Sequence, residues 1–123
     1  MQRAIPTIRV ASYPASKSFY ESLGFREQWT HQFEPGFPIF ACLERGEMEI
    51  FLTEHVEDCH FGALVHFRVG DVDALHTEYK QIGVPIAEPP NNGLGPDIRV
   101  MSLVDPDDNR LRFFTVTLDR SSS

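Results

Sequence analysis

A segment of this chain recurs 59 positions further on, and no other feature restricts the fold as much. Arg9-Val10-Ala11-Ser12 opens the first copy, which runs through Ala15, Tyr20, Leu23 and Gly24 to Phe25. Arg68-Val69-Gly70-Asp71 opens the second, with Ala74, Tyr79, Ile82, Gly83 and Val84 in register. Ser12 and Asp71 are residues whose side chains accept hydrogen bonds from the free N–H groups at a helix start. Pro14 falls in the first turn, where its missing N–H costs nothing. Phe19, Tyr20 and Leu23 then recur at helical spacing, as do Leu75, Tyr79 and Ile82. Gly24 and Gly83 suit the left-handed position that ends a helix. Each copy therefore reads as a strand ending in Arg-Val, a helix and a glycine.

Strand signals follow each helix. Residues 25–31 read as a strand, and a loop with Pro35-Gly36 comes next. Residues 38–44 and 47–53 read as a hairpin about Arg45-Gly46. In the second copy, 85–87 is a short strand and Pro89-Pro90-Asn91-Asn92-Gly93 a loop. The matching hairpin, 98–104 and 110–117, turns through Asp105-Pro106-Asp107-Asp108-Asn109. That turn lacks the spaced acceptors and closing glutamate of a calcium loop. The expected class is α+β: two tandem βαβββ modules, about 4–54 and 62–117, forming a cupped mixed sheet in one domain of 123 residues. Residues 55–61 are the linker and 119–123 a frayed tail. One sheet face of each module lies under its helix and the other is open. Two such modules must close their open faces around something, and a concave face is a ligand site.

Charge and composition remove several classes of function. A net charge of −7 disfavours nucleic acid, whose phosphates need a basic surface. It favours a cationic small molecule. No apolar run is long enough to cross a bilayer and no secretory leader opens the chain, so a cytoplasmic protein without membrane contact is expected. Cys42 and Cys59 are read as reduced, structurally ordinary thiols, since two cysteines make no disulfide framework and neither sits in a CxxC pair. There is no nucleophile elbow, P-loop or dinucleotide fingerprint.

The duplicated pattern resembles the vicinal-oxygen-chelate superfamily, which includes glyoxalase I, extradiol dioxygenases, fosfomycin-resistance enzymes and bleomycin-resistance proteins. Three stretches carry the resemblance: Phe19-Tyr20-Glu21-Ser22-Leu23-Gly24-Phe25, the hairpin from Glu44 to Leu52, and Leu103-Val104-Asp105-Pro106-Asp107-Asp108-Asn109. In the metal-dependent members, four strands supply His or Glu ligands. Matched by position, those places fall here on Ile5, Phe51, Leu64 and Arg112, none of them a metal ligand. Only His66 lies nearby. The resemblance is therefore to the bleomycin-resistance branch, which implies a homodimer that sequesters a planar, cationic drug in a cavity between subunits, without metal or other cofactor. The alternative is a metal-dependent glyoxalase, dioxygenase or thiol transferase with non-standard ligands. One departure stands out: relatives of the transposon-borne type carry a stacking tryptophan where this chain has Pro96.

Alternation along the strands sorts the cavity residues. If the four ligand positions face the cavity, then Thr7, Arg9, Glu49, Thr53, His66, Arg68 and Phe114 do too. Ile8, Val10, Ile50, Leu52, Val65, Phe67 and Phe113 then pack beneath the helices. The expected ligand-binding set is Trp29, Phe33, Phe40, Glu49, Phe51, His66, Arg112 and Phe114. Five of them have an ordinary reading as well: packing for Trp29 and Phe33, a hydrogen-bonded wall for His66, and a salt bridge between Arg112 and Glu49.

Overall fold

The computed structural model describes residues 2–117; the expected tail at 119–123 lies outside them. Ten elements follow one another: β1 (Thr7–Arg9), α1 (Tyr13–Ser22), β2 (Arg26–His31), β3 (Phe40–Arg45), β4 (Met48–Thr53), β5 (Leu64–Arg68), α2 (Val72–Gln81), β6 (Glu88–Asn91), β7 (Ile98–Val104) and β8 (Arg110–Val116). They form two βαβββ sets, and each makes its own four-stranded sheet, β1-β4-β3-β2 and β5-β8-β7-β6. In both, the leading strand pairs in parallel with the last strand of its set, and the remaining pairs are antiparallel. The chain divides into two compact units. The first runs to Ala63 and includes the turn Asp105–Asn109; the second holds Leu64–Val104 and the chain from Arg110.

The helix boundaries are those that the capping residues dictate. The Ser12 hydroxyl accepts from the Ala15 N–H at 3.4 Å and the Asp71 carboxylate from the Ala74 N–H at 3.1 Å. Glu54 gives α1 a second anchor, taking the Tyr13 N–H at 2.7 Å while its other oxygen takes the Ile39 N–H. In the first unit, Ile8, Tyr20, Leu23, Leu43, Ile50 and Leu52 are fully buried. In the second, Phe67 stacks on Phe113 at 4.9 Å and the Tyr79 ring meets Phe113 edge-on.

Two details differ from the expectation. The sixth strand is Glu88–Asn91 rather than 85–87, so Pro89 and Pro90 lie within it. An edge strand tolerates prolines, whose missing N–H groups face no partner, and the register with β7 shifts between Glu88 and Asn91. Ile82 is 58% exposed, although Leu23 in the equivalent place is fully buried. Ile82 is the cap residue beyond the last turn of α2, and the buried Val84 is the apolar residue that follows the glycine there.

Gly24 and Gly83 close the helices with φ of +97° and +83°, a region costly for any residue with a Cβ. Their surroundings differ. A Cβ on Gly24 would lie 2.8 Å from Arg45 Nη1, the atom that donates to the Leu23 carbonyl at 2.6 Å; a Cβ on Gly83 meets nothing within 4 Å. Gly83→Ala should cost the backbone strain alone, about 1 kcal/mol. Gly24→Ala should cost more, because it also disturbs the Arg45 cap. Equal urea midpoints for the two variants would show that the arginine contributes nothing.

Candidate functional site

The open face of the first sheet gathers an aromatic cluster. Register places Phe40, Cys42 and Glu44 of β3 opposite Thr53, Phe51 and Glu49 of β4, all on the side away from α1. Trp29 reaches this side because of a bulge. Glu27 pairs with Leu43 on the helix side, the register then shifts, and Trp29 pairs with Cys42 on the open side. Glu27 is accordingly held on the helix side by the Tyr13 hydroxyl at 2.5 Å, and Trp29 stacks on Phe40 with centroids 6.0 Å apart and planes at 14°. Phe51 closes the cluster, 5.7 Å from Trp29 and 5.0 Å from Phe40. Trp29 remains 47% exposed.

Glu49 sits beside these rings. Read from the sequence as a partner for Arg112, it is instead held by Arg3 within its own unit, and its second oxygen accepts from the Cys42 thiol at 3.4 Å. Burial, then that hydrogen bond, pushes the thiol pKa up to about 11. Cys42 is thus a protonated wall residue. Phe33 does not join the cluster. It lies beyond the end of β2, 73% exposed, with its ring edge-on to His31 at 5.0 Å.

The segment 55–61 is more than a connector. Its Asp58 takes the Thr53 hydroxyl at 2.7 Å, Cys59 donates to the Thr7 carbonyl, and Phe61 lies 4.5 Å from the Arg9 guanidinium. Arg9 and Thr53, expected to face a cavity, are therefore buried beneath their own unit's chain. What remains open is the end that bears Trp29, Phe40, Phe51 and Glu49.

The open face of the second sheet is different in kind. Across β5, β8 and β7, His66, Arg112 and Ser102 stand in one row and Arg68, Phe114 and Val100 in the next. His66 meets Phe114 with centroids 6.2 Å apart, and its imidazole has no hydrogen-bond partner among the described residues. The hydrogen-bonded wall expected of it is not formed, because its exposed ring reaches solvent. Arg112 lines a cavity of about 180 Å³ with Glu88, Asn91, Gly93, Leu94, Val100 and Ser102. Pro96 is exposed and offers no aromatic ring; its carbonyl accepts from the Asn92 side chain at 3.3 Å.

The sequence expectation thus falls into two groups: Trp29, Phe40, Phe51 and Glu49 together on one unit, and His66, Arg112 and Phe114 together on the other. Ser102 and Glu88 were not singled out from the sequence. The hairpin register about the turn was the signal that could have found Ser102. The residues do not fit a metal. Ile5, Phe51 and Leu64 carry no donor atom and Arg112 is a permanent cation. Among the described residues no three His, Cys, Asp or Glu gather in a metal-holding arrangement.

Comparison with known proteins adds the following. A family model described as "Glyoxalase superfamily protein" matches residues 1–119. A bleomycin-binding protein, solved in complex with bleomycin, superposes with a TM-score of 0.73 at 22% identity, covering 94% of this chain and 98% of that one. A bleomycin resistance determinant encoded on the transposon Tn5 gives 0.75 at 23%, covering 96% and 100%. A glyoxalase/bleomycin resistance protein from Catenulispora acidiphila gives 0.71 at 21%, covering 94% and 99%. No curated protein matches the chain.

Proposed function

Because the chain belongs to the glyoxalase superfamily, we propose that it is a small-molecule-binding protein of the bleomycin-resistance type, which sequesters a planar, cationic, drug-like ligand without catalysis. The observation that carries this reading is the Trp29–Phe40–Phe51 cluster on the sheet face away from α1, with Trp29 exposed. Flat rings stack on such a surface, and cations are attracted to the faces of its rings. Glu44, opposite Glu49 on the same face, adds negative charge beside it, while the charge of Glu49 is offset by Arg3. The net charge of −7 attracts cations over longer range. The likeness in fold to a protein solved with bleomycin bound agrees with this choice of ligand.

The working form is a cytoplasmic homodimer. Its support is the apolar surface left at Phe33 and Phe37, which a second copy would cover. Among the described residues no helix is long and apolar enough to cross a membrane. His66, Arg112 and Phe114 form the second ligand-facing group.

The test is a titration with metal-free bleomycin. Trp29 is the only tryptophan, so its fluorescence reports on the cluster directly. The expected result is saturable quenching with matching heat, one or two drugs per dimer, and micromolar affinity. Phe40→Ala should weaken binding by roughly tenfold or more, since stacking on one ring is worth about 1 kcal/mol beyond the area it buries. Neither heat nor quenching at high drug concentration would overturn bleomycin as the ligand.

A further inference from the structure

We propose that the cavity of the second unit is an oxyanion site, in which Arg112 and Ser102 hold a carboxylate, sulfate or phosphate group of a small ligand. The two side chains are direct cross-strand partners on the open face of β7 and β8, and both line the cavity. Among the described residues the Arg112 guanidinium makes no ion pair or hydrogen bond, and the Ser102 hydroxyl has no hydrogen-bond partner. Ser102 is only 4% exposed, so its hydroxyl opens onto little besides this cavity. Neither group is sealed from solvent, so both keep donors that a ligand entering the cavity can use. Arginine is always charged and presents a planar fork of donors that matches an oxyanion.

The walls specify the rest of the ligand. Leu94 and Val100 add apolar side chains to the lining. Asn91 donates one amide N–H to the Pro89 carbonyl and accepts from the Gly93 N–H, which fixes its amide and leaves its second N–H as a further donor at the rim. Glu88 opposes an anion, but its carboxylate lies 3.6 Å from Arg110 and is offset there. A volume of about 180 Å³ is several times the roughly 30 Å³ that a water occupies in the liquid, enough for an oxyanion with a few carbons attached. The ligand class is therefore a small organic acid or phosphate ester.

This inference rests on the reading of Arg112 as ligand-facing and on nothing in the aromatic cluster. A failed bleomycin titration leaves it standing, and its own failure leaves the aromatic reading standing. The experiment is calorimetric titration of the full chain with benzoate and, separately, with inorganic phosphate, in low-salt buffer. At least one should bind saturably, one per chain, with a Kd of about a millimolar or tighter. Benzoate alone would identify a carboxylate with an organic body as the preferred ligand, and phosphate alone a phosphate group.

Arg112→Ala should weaken binding about tenfold or more, and Ser102→Ala about threefold to tenfold, with unchanged melting temperatures. Arg112→Lys keeps the charge without the fork and should also weaken it several-fold. Glu88→Gln should tighten it. Arg68→Ala, which removes the same charge from the same face but outside the cavity, should change the Kd by less than about twofold. The proposal is overturned if neither anion binds, or if Arg68→Ala weakens binding as much as Arg112→Ala.

Discussion

Replacing Asp105 with alanine is expected to lower the melting temperature by on the order of 10 °C or more. The residue is 4% exposed and four donors converge on it. One carboxylate oxygen accepts from the Asp107 and Asn109 N–H groups at 2.8 and 2.9 Å, the other from the Tyr20 hydroxyl at 2.8 Å and the Asn109 side-chain amide at 2.9 Å. Tyr20 and Asn109 are fully buried, so both would lose their acceptor where water does not reach. Each such orphaned donor costs about 1–3 kcal/mol, and a total of about 3–5 kcal/mol is expected. The damage would spread, because Asn109 also donates to the Arg9 carbonyl and accepts from the Gly62 and Ala63 N–H groups. The turn thereby ties β1 and the end of the 55–61 segment to α1 within one unit. Tyr20→Phe removes a single donor and leaves the others in place, so it should cost only about 1 kcal/mol. Thermal melts followed by circular dichroism decide the matter. An Asp105→Ala melt within a degree or two of wild type would show that water replaces the carboxylate.

That turn also shows where sequence reading succeeds and where it stops. Helix starts at Ser12 and Asp71, helix ends at Gly24 and Gly83, and both hairpins were legible, since each depends on residues within a few positions of one another. The duplication then supplied the βαβββ order. Strand 88–91 was missed because Pro-Pro reads as a loop unless the strand is known to lie at an edge, which is a property of the whole sheet. The aromatic cluster was half legible. Alternation puts Phe51 and Glu49 on one face, but simple alternation would also put Glu27 and Trp29 on the same side as each other. The shift at Gln28 separates them, and nothing local in the sequence announces it. Arg3 as the partner of Glu49 depends on a contact 46 positions apart, and the burial of Arg9 depends on where 55–61 lies. Ser102 was within reach. Once 105–109 is the turn, Val104 must face Arg110 and Ser102 must face Arg112.

The second large effect concerns alkali: the fold should be stable to about pH 9 and lose stability steeply above pH 10. Four acidic groups hold their protons more tightly in the folded chain than in the unfolded one. Burial first, then the charge of Asp105, raises the Tyr20 hydroxyl far above the ordinary tyrosine range. Burial and the hydrogen bond to Glu27 do the same for Tyr13. Cys42 is pushed up to about 11, and Cys59 is raised by burial and by Asp58. In the unfolded chain, cysteine releases its proton near pH 8.5 and tyrosine near pH 10. Above those values the unfolded state ionises while the folded state does not, so the unfolded state binds fewer protons and stability falls as pH rises. The cysteine contribution is complete below about pH 8.5 and is lost mainly between there and pH 11. The tyrosine contribution is lost from about pH 10 upward, at about 1.4 kcal/mol per pH unit for Tyr20 alone. Against a total stability of about 5–15 kcal/mol, the four groups together remove a large share of it within two pH units above tyrosine's ordinary pKa. Denaturant midpoints measured from pH 7 to 11 test it, with tyrosinate absorbance followed in parallel. The absorbance should rise together with unfolding rather than before it. Cys42→Ala should flatten the decline between pH 9 and 10, and Tyr20→Phe the steeper part above it. Midpoints that hold constant to pH 11, or an unchanged slope in Tyr20→Phe, would mean that these groups already ionise in the folded chain.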